Sequence, residues 1–307
     1  MSPAETVHAT LAAFVRDTRF AERGAVVTDL DGTAVVERAG RVAIAAPVEF
    51  GLERLRQAGR PVVVNTMRFP LSVMRTFGEV WLRLNGVRMP TVTLNGGQIG
   101  YVSRHGSELV FEELEAFPLA DAEIDEVIAG VQGLLDNGVD DLLLFHYPRD
   151  WRLGESIWTP VPGREAHVAQ KYPSAEVVHA DAIGALAERL HAQSPCMAFM
   201  LVDVPQDRLM AYQHTRRSNF FNHVGVDKAH GARAIARTLG VSLADSVGAG
   251  DAELDTFLDD VGLALIVGNA DLAFGREGRR LWLPDPPGLG EVLSRLADLC
   301  GDTGAPR

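Results

Sequence analysis

Apolar positions along the chain fall into two kinds of block. Residues 4–19 place Val7, Leu11, Phe14 and Val15 on one face of a helix. The run Gly-Ala-Val-Val-Thr-Asp-Leu at 24–30 has no polar face and ends in acid, the pattern of a short strand buried on both sides. A helix follows over 47–58, with Pro47 in its first turn and Gly59 just past its end. Pro61-Val-Val-Val-Asn65 reads as a second buried strand, 71–84 as a helix closed by Asn85-Gly86, and 91–94 as a third strand running into Asn95-Gly96-Gly97. Strand alternating with helix predicts an α/β fold with a parallel sheet.

The rhythm changes near residue 100. Residues 101–102 and 109–111 read as short strands, in a hairpin pattern. A helix over 120–135, a strand over 141–145 and a loop over 147–163 rich in Pro, Arg and Trp come next. Then a helix over 182–193 and a β-hairpin of 197–204 with 208–213 complete an α+β block. From Lys228 the first rhythm returns: helix 228–239, strand 246–247, helix 252–259, strand 262–267 and helix 288–299. The pattern predicts one discontinuous α/β core, 1–99 plus 217–307, around an inserted α+β domain at 100–216.

Composition narrows the function. In 307 residues, 41 Asp+Glu outweigh 29 Lys+Arg, against the clustered cations that a nucleic-acid partner requires. No apolar run reaches the roughly 18 residues of a membrane span. The N-terminus lacks the positive flank of a signal peptide. Cys196 and Cys300 make neither a disulfide framework nor a thiolate metal site, so a cytoplasmic setting is expected. Every basic residue except Lys171 and Lys228 is arginine. A position that keeps lysine under such a bias is a candidate for chemistry that needs an ammonium.

Four segments carry candidate chemistry. Asp29-Leu-Asp31-Gly32-Thr33 follows the first strand directly, at the edge where open α/β sheets bind ligands. Carboxylates two apart at a strand end suit a nucleophile or metal ligand beside a general acid/base, with Gly32 permitting the turn. Asn65-Thr66-Met67-Arg68 ends the second strand and offers a hydroxyl and N–H groups to an anion. Lys228 begins a helix. In Gly248-Ala-Gly-Asp251-Ala-Glu-Leu-Asp255 the two acids share a face if the helix has already begun, and their hard oxygens suit Mg²⁺. Together the set fits phosphoryl transfer. No His pair has zinc-ligand spacing. His214, His223 and His230 lie near the Lys228 segment, and Arg216-Arg217 flanks the return to the core. His146, Tyr147, Arg149, Trp151, Arg152 and Trp158 form an aromatic–basic stretch open to two readings, sugar recognition or packing within the insert.

From Ala25 to about Leu299 the chain resembles the haloacid-dehalogenase (HAD) superfamily phosphatases, in particular the Cof-like subgroup with a large α+β cap. DLDGT at 29–33 matches the first motif of that family. The resemblance implies a Rossmann-like core and a cap that closes over the site and chooses the substrate. It implies Asp29 as nucleophile, Asp31 as acid/base with its backbone carbonyl on the metal, and Thr66 with Met67 and Lys228 at the phosphate. It further implies Mg²⁺ on Asp29, Asp31 and Asp251, and supporting roles for Gly32, Arg68, Asp255, Asn95 and Asn269. Met67 stands where the family has Gly, and Leu254 where it has Asn. The implied activity is hydrolysis of a small phosphorylated metabolite such as a sugar phosphate. A phosphosugar mutase and a non-catalytic binding protein remain the alternatives.

Overall fold

A computed structural model describes residues 3–38, 41–202, 220–268 and 271–302. In chain order the strands are β1 (Val26–Thr28), β2 (Val35–Arg38), β3 (Arg41–Ile44), β4 (Val62–Asn65), β5 (Met89–Thr93), β6 (Gln98–His105) and β7 (Glu108–Ala116). They continue as β8 (Leu142–Tyr147), β9 (Glu155–Trp158), β10 (Ala175–His179), β11 (Met197–Val202), β12 (Phe220–Phe221), β13 (Val247–Gly250), β14 (Leu263–Val267) and β15 (Arg280–Leu283).

The chain divides into two compact units. One comprises Met1–Arg68, Val73–Glu115 and Asp227–Arg307; the other Phe69–Ser72 and Ala116–Val226. The first unit carries an eight-stranded sheet in the order β15-β14-β13-β1-β4-β5-β6-β7. From β15 to β5 the neighbours are parallel. Val26, Val62, Val63, Val64, Leu263, Ala264 and Leu265 are at most 1% exposed, as strands covered on both faces must be. Helices Ala46–Gln57 and Pro286–Asp302 pack against each other in this unit.

Two expectations are corrected here. The sheet is mixed, because β6 runs antiparallel to β5. Residues 100–115 also extend this sheet rather than opening the insert. The sequence alone does not separate a hairpin that begins a new domain from one that finishes an old sheet. Both have short apolar strands and a tight turn, here at Gly106. The strands of the β2–β3 hairpin and edge strand β15 are four residues each, too short for a period to stand out from loop.

The second unit is α+β, with a five-stranded sheet in the order β10-β9-β8-β11-β12. Helices Asp121–Asp136 and Ile183–Gln193 cover one face, where Leu142, Leu144, Trp158, Leu186 and Leu190 form a core. The expected loop over 147–163 contains β9. Its four residues lie between Gly154 and a Pro-containing turn and show little periodicity. The segment 208–213, expected to pair with 197–204, lies outside the described residues. The partner of β11 on that side is β12. His214, Arg216 and Arg217 also lie outside them.

Candidate active site

Parallel strands place the loops that follow them on one edge. β1 therefore delivers Asp29, β4 delivers Thr66 and β13 delivers Asp251 to the same edge of the first unit. Backbone bonds fix the register of these loops. Asp29 N–H donates to the Ala249 carbonyl at 2.9 Å, and Thr66 N–H to the Val92 carbonyl at 3.0 Å.

At the centre lies a buried charge cluster. Lys228 is 2% exposed, and its Nζ stands 3.0 Å from Asp29 Oδ2 and 2.7 Å from Asp255 Oδ1. It is the first residue of helix Lys228–Leu239, whose cap Asp227 accepts from the His230 N–H at 2.7 Å. Burial favours the neutral amine of Lys228, but Asp29 and Asp255 outweigh it and hold the ammonium. Burial also pushes the Asp29 carboxyl up to about 7, with Lys228 opposing and Asp255 adding to the rise.

The two acids of the fourth segment do not share a helix face. Residues 251–254 form a turn, and a short 3₁₀ helix begins only at Thr256. The turn sends the two side chains to different tasks. Asp255 gives one oxygen to Lys228 and the other to the Asp251 and Ala252 N–H groups at 2.8 and 2.9 Å. Asp251 instead turns toward the first loop and accepts from Thr33 Oγ1 at 2.6 Å. Its carboxyl is raised, chiefly by burial. Gly32 makes this possible. It adopts φ +74°, and a Cβ there would stand 2.1 Å from Asp251 Oδ2.

Asp31 behaves differently from Asp29. Its carboxylate is exposed and held by Arg68, whose Nε and Nη2 donate at 2.6 and 2.5 Å while Nη1 donates to Thr76 Oγ1 at 3.0 Å. Thr66 is buried and Met67 half-buried in the loop that Arg68 closes. A turn with three successive positive φ values, Leu94, Asn95 and Gly96, braces that loop. Asn95 N–H donates to the Thr66 carbonyl and Leu94 N–H to the Arg68 carbonyl, at 3.2 and 3.1 Å. A Cβ on Gly96 would stand 2.2 Å from the Asp227 carbonyl oxygen. Asn269 lies outside the described residues.

Three residues at this edge carried no individual role in the sequence reading. Thr33 orients Asp251, Thr256 Oγ1 donates to Asp227 Oδ2 at 2.9 Å, and Asn65 Nδ2 donates to the Lys228 carbonyl at 2.9 Å. Thr33 and Asn65 lie inside the named segments and Thr256 directly follows one, and that position was the only available signal. Of the other candidates, Trp158 and His146 are buried within the second unit, so neither is presented to a ligand. With no partner on either ring nitrogen, His146 is pushed down to about 3, first by burial. His223 pairs with Glu123 at 2.9 Å in the same unit.

One oxygen from each of Asp29, Asp251 and Asp255 lies within 4.8 Å of the others, a spacing that admits one cation. The donor set consists of hard oxygens, as Mg²⁺ requires. Asp255 already has both oxygens engaged, which leaves Asp29 and Asp251 as the side chains free to hold an ion.

No family model and no curated protein sequence gives a match to the chain. Solved structures do match. A phosphatase of the HAD superfamily from Bacteroides thetaiotaomicron aligns at a TM-score of 0.62 and 15% identity, over 90% of this chain and 96% of that one. A HAD subclass IIB sugar phosphatase aligns at 0.60 and 16%, over 88% and 96%. A haloacid dehalogenase-like hydrolase from Bacteroides thetaiotaomicron aligns at 0.59 and 17%, over 89% and 99%. The likeness covers both units and establishes the fold. Among the described residues, no helix is long and apolar enough to cross a membrane.

Proposed function

We propose that this chain, which has the fold of the HAD phosphatases, is a Mg²⁺-dependent phosphomonoesterase acting on a small phosphorylated metabolite, with sugar phosphates as the first class to test. One observation carries the reading. A buried carboxylate, a buried ammonium and a second carboxylate oriented by a hydroxyl converge at the carboxyl edge of the sheet.

Asp29 is the nucleophile. One of its oxygens attacks phosphorus, a P–O bond to Asp29 forms, and the bond to the ester oxygen breaks. Asp31, which must be protonated when the ester binds, gives that proton to the leaving oxygen. Asp31, now a carboxylate, takes a proton from water as that water attacks the aspartyl-phosphate. Phosphate departs and Asp29 is regenerated. Arg68 positions the Asp31 carboxyl through two hydrogen bonds, and the carboxylate that it holds is the form that takes the proton from water.

Lys228 serves two ends. Its positive charge offsets the charge of Asp29 and Asp255 in the free protein, and it lies where phosphoryl oxygens gather around the nucleophile. Thr66 and the N–H groups of its loop receive the remaining oxygens. Asp29 and Asp251, with the Asp31 backbone carbonyl that the family resemblance adds, would hold Mg²⁺. The bound ion supplies positive charge that brings an anionic ester to an acidic cluster. A sugar phosphate is favoured because one structure that the chain resembles belongs to a sugar phosphatase.

Phosphate release over a panel of sugar phosphates, nucleotides and phosphorylated cofactors tests the proposal. Mg²⁺-dependent release by the wild type, lost in Asp29→Asn, is the expected result. Release that survives Asp29→Asn, or no release from any member, overturns it.

A further inference from the structure

A second cleft of about 270 Å³ opens in the first unit at the opposite end of the strands from Asp29 and Thr66. It lies where β4 and β5 begin, between Pro61 and Pro90, with Trp81 and Tyr101 among its walls. Its volume is at the small end of ligand sites. Three arginines line it, Arg56, Arg60 and Arg88, and none of the described residues lining it is acidic.

That charge arrangement runs against the chain as a whole, in which acids outnumber bases by 12. The Arg56 side chain makes no ion pair or hydrogen bond among the described residues. The end of helix Ala46–Gln57 compensates it only in part. Arg60 is half-buried. Its Nη1 donates to the Phe20 carbonyl at 2.9 Å, while its Nε is buried without a partner. Glu22, the one carboxylate that acts on Arg60, is already paired to Arg19 at 2.6 Å. Arg88 reaches Glu112 only at 3.9 Å. Its guanidinium carbon also stands 3.9 Å from the centre of the Tyr101 ring, a cation–π contact at the wall of the cleft. Trp81 is 3% exposed and its Nε1–H also has no partner. Arg60 Nε and Trp81 Nε1–H are thus buried donors without an acceptor, which is costly. With two further, more exposed guanidinium groups beside them and no acid in the lining, the cleft presents convergent donors to an oxyanion from solution.

We propose that this cleft is a binding site for a small organic oxyanion, a carboxylate or phosphate group carried on a flat apolar body. The arginine fork takes the oxyanion. Pro61, Pro90 and the aromatic walls take the body. Nothing in the chemistry of the catalytic edge requires this site, so its test does not depend on phosphatase activity.

The probes are benzoate, phenylphosphonate and inorganic phosphate, titrated calorimetrically into the full-length protein with a chelator present. The wild type should bind benzoate or phenylphosphonate saturably and more tightly than inorganic phosphate, which lacks the apolar body. Preference between the two organic probes assigns the head group. The double variant Arg56→Gln/Arg88→Gln, with the wild-type melting temperature as its folding control, should weaken that binding about tenfold or more, the loss expected for a charge-assisted hydrogen bond. A crystal soaked in 4-bromobenzoate should show the bromine signal between Pro61 and Pro90. Binding that is unchanged in the double variant, or no saturable binding of either organic probe, overturns the proposal.

Discussion

Lys228 and Asp255 form an ion pair of 2.7 Å from which solvent is shut out at both ends, the lysine 2% and the aspartate 0% exposed. The pair separates two acids that look equivalent in sequence. Asp255 belongs to the lysine and to the backbone of its own turn, whereas Asp251 remains free to face an ion. Asp255→Ala should therefore act on folding. It strips a buried ammonium of one partner and leaves two N–H groups unpaired, at a cost of about 3–5 kcal/mol. Urea unfolding of the metal-free variant measures this.

Asp251→Asn should leave the metal-free protein close to wild-type stability and remove its response to Mg²⁺. In the wild type, Mg²⁺ should bind the folded state selectively and raise the melting temperature by mass action. The variant should show little or no rise at the same Mg²⁺ concentration. A full rise in Asp251→Asn would place the ion elsewhere.

Asp29 makes the metal-free stability depend on pH. Its carboxyl stands at about 7 against an ordinary 3.8, with burial as the main cause. A raised carboxyl contributes stability that is complete below the unfolded value and is lost as pH rises through the folded one. Between pH 4 and pH 7 the wild type should lose this contribution, while Asp29→Asn, which cannot ionise, should lose less. Melting curves with chelator across that range test the sign. Parallel profiles for the two proteins would contradict it. The same variant should lower phosphate release at least about a thousandfold, since a missing nucleophile is not replaced by binding energy.

Arg68 grips Asp31 through two parallel hydrogen bonds and is itself steadied by Thr76. Arg68→Ala should lower kcat by about tenfold to a hundredfold through loss of acid/base positioning. Arg68→Lys should fail to restore it, because an ammonium cannot form the fork. Steady-state kinetics on the substrate found by the phosphate-release panel provides the measurement. Full recovery with lysine would mean that charge alone suffices.

Gly32→Ala should disturb both stability and metal binding. The new Cβ meets the Asp251 carboxylate at 2.1 Å, in a backbone conformation that alanine adopts only with strain. A loss of about 1–3 kcal/mol, together with a weakened Mg²⁺-induced rise in melting temperature, is the expected outcome.

Much of this protein was legible before its tertiary structure. The motif segments at 29–33, 65–68, 228 and 248–255 could be read because each joins a buried strand or a helix start to residues with a specific chemistry. Those local patterns, with the family resemblance, were enough to expect the α/β core, the inserted α+β region and the acidic edge. The scarcity of lysine pointed to Lys228. Beyond this, the sequence stated which residues were present but not which would touch. That Asp255 serves Lys228 while Asp251 faces the first loop depends on a turn at 251–254 where a helix was expected. That Arg68 holds Asp31 depends on two strand-end loops meeting across 37 residues of sequence. That 98–116 finishes the core sheet depends on β6 pairing with β5. Short apolar runs and strand-end acids are set by local chemistry, so the sequence determines them. Pairing between strands and the partner of each buried charge are long-range contacts, chosen by packing and by the cost of an unpaired charge, and only the tertiary structure decides them.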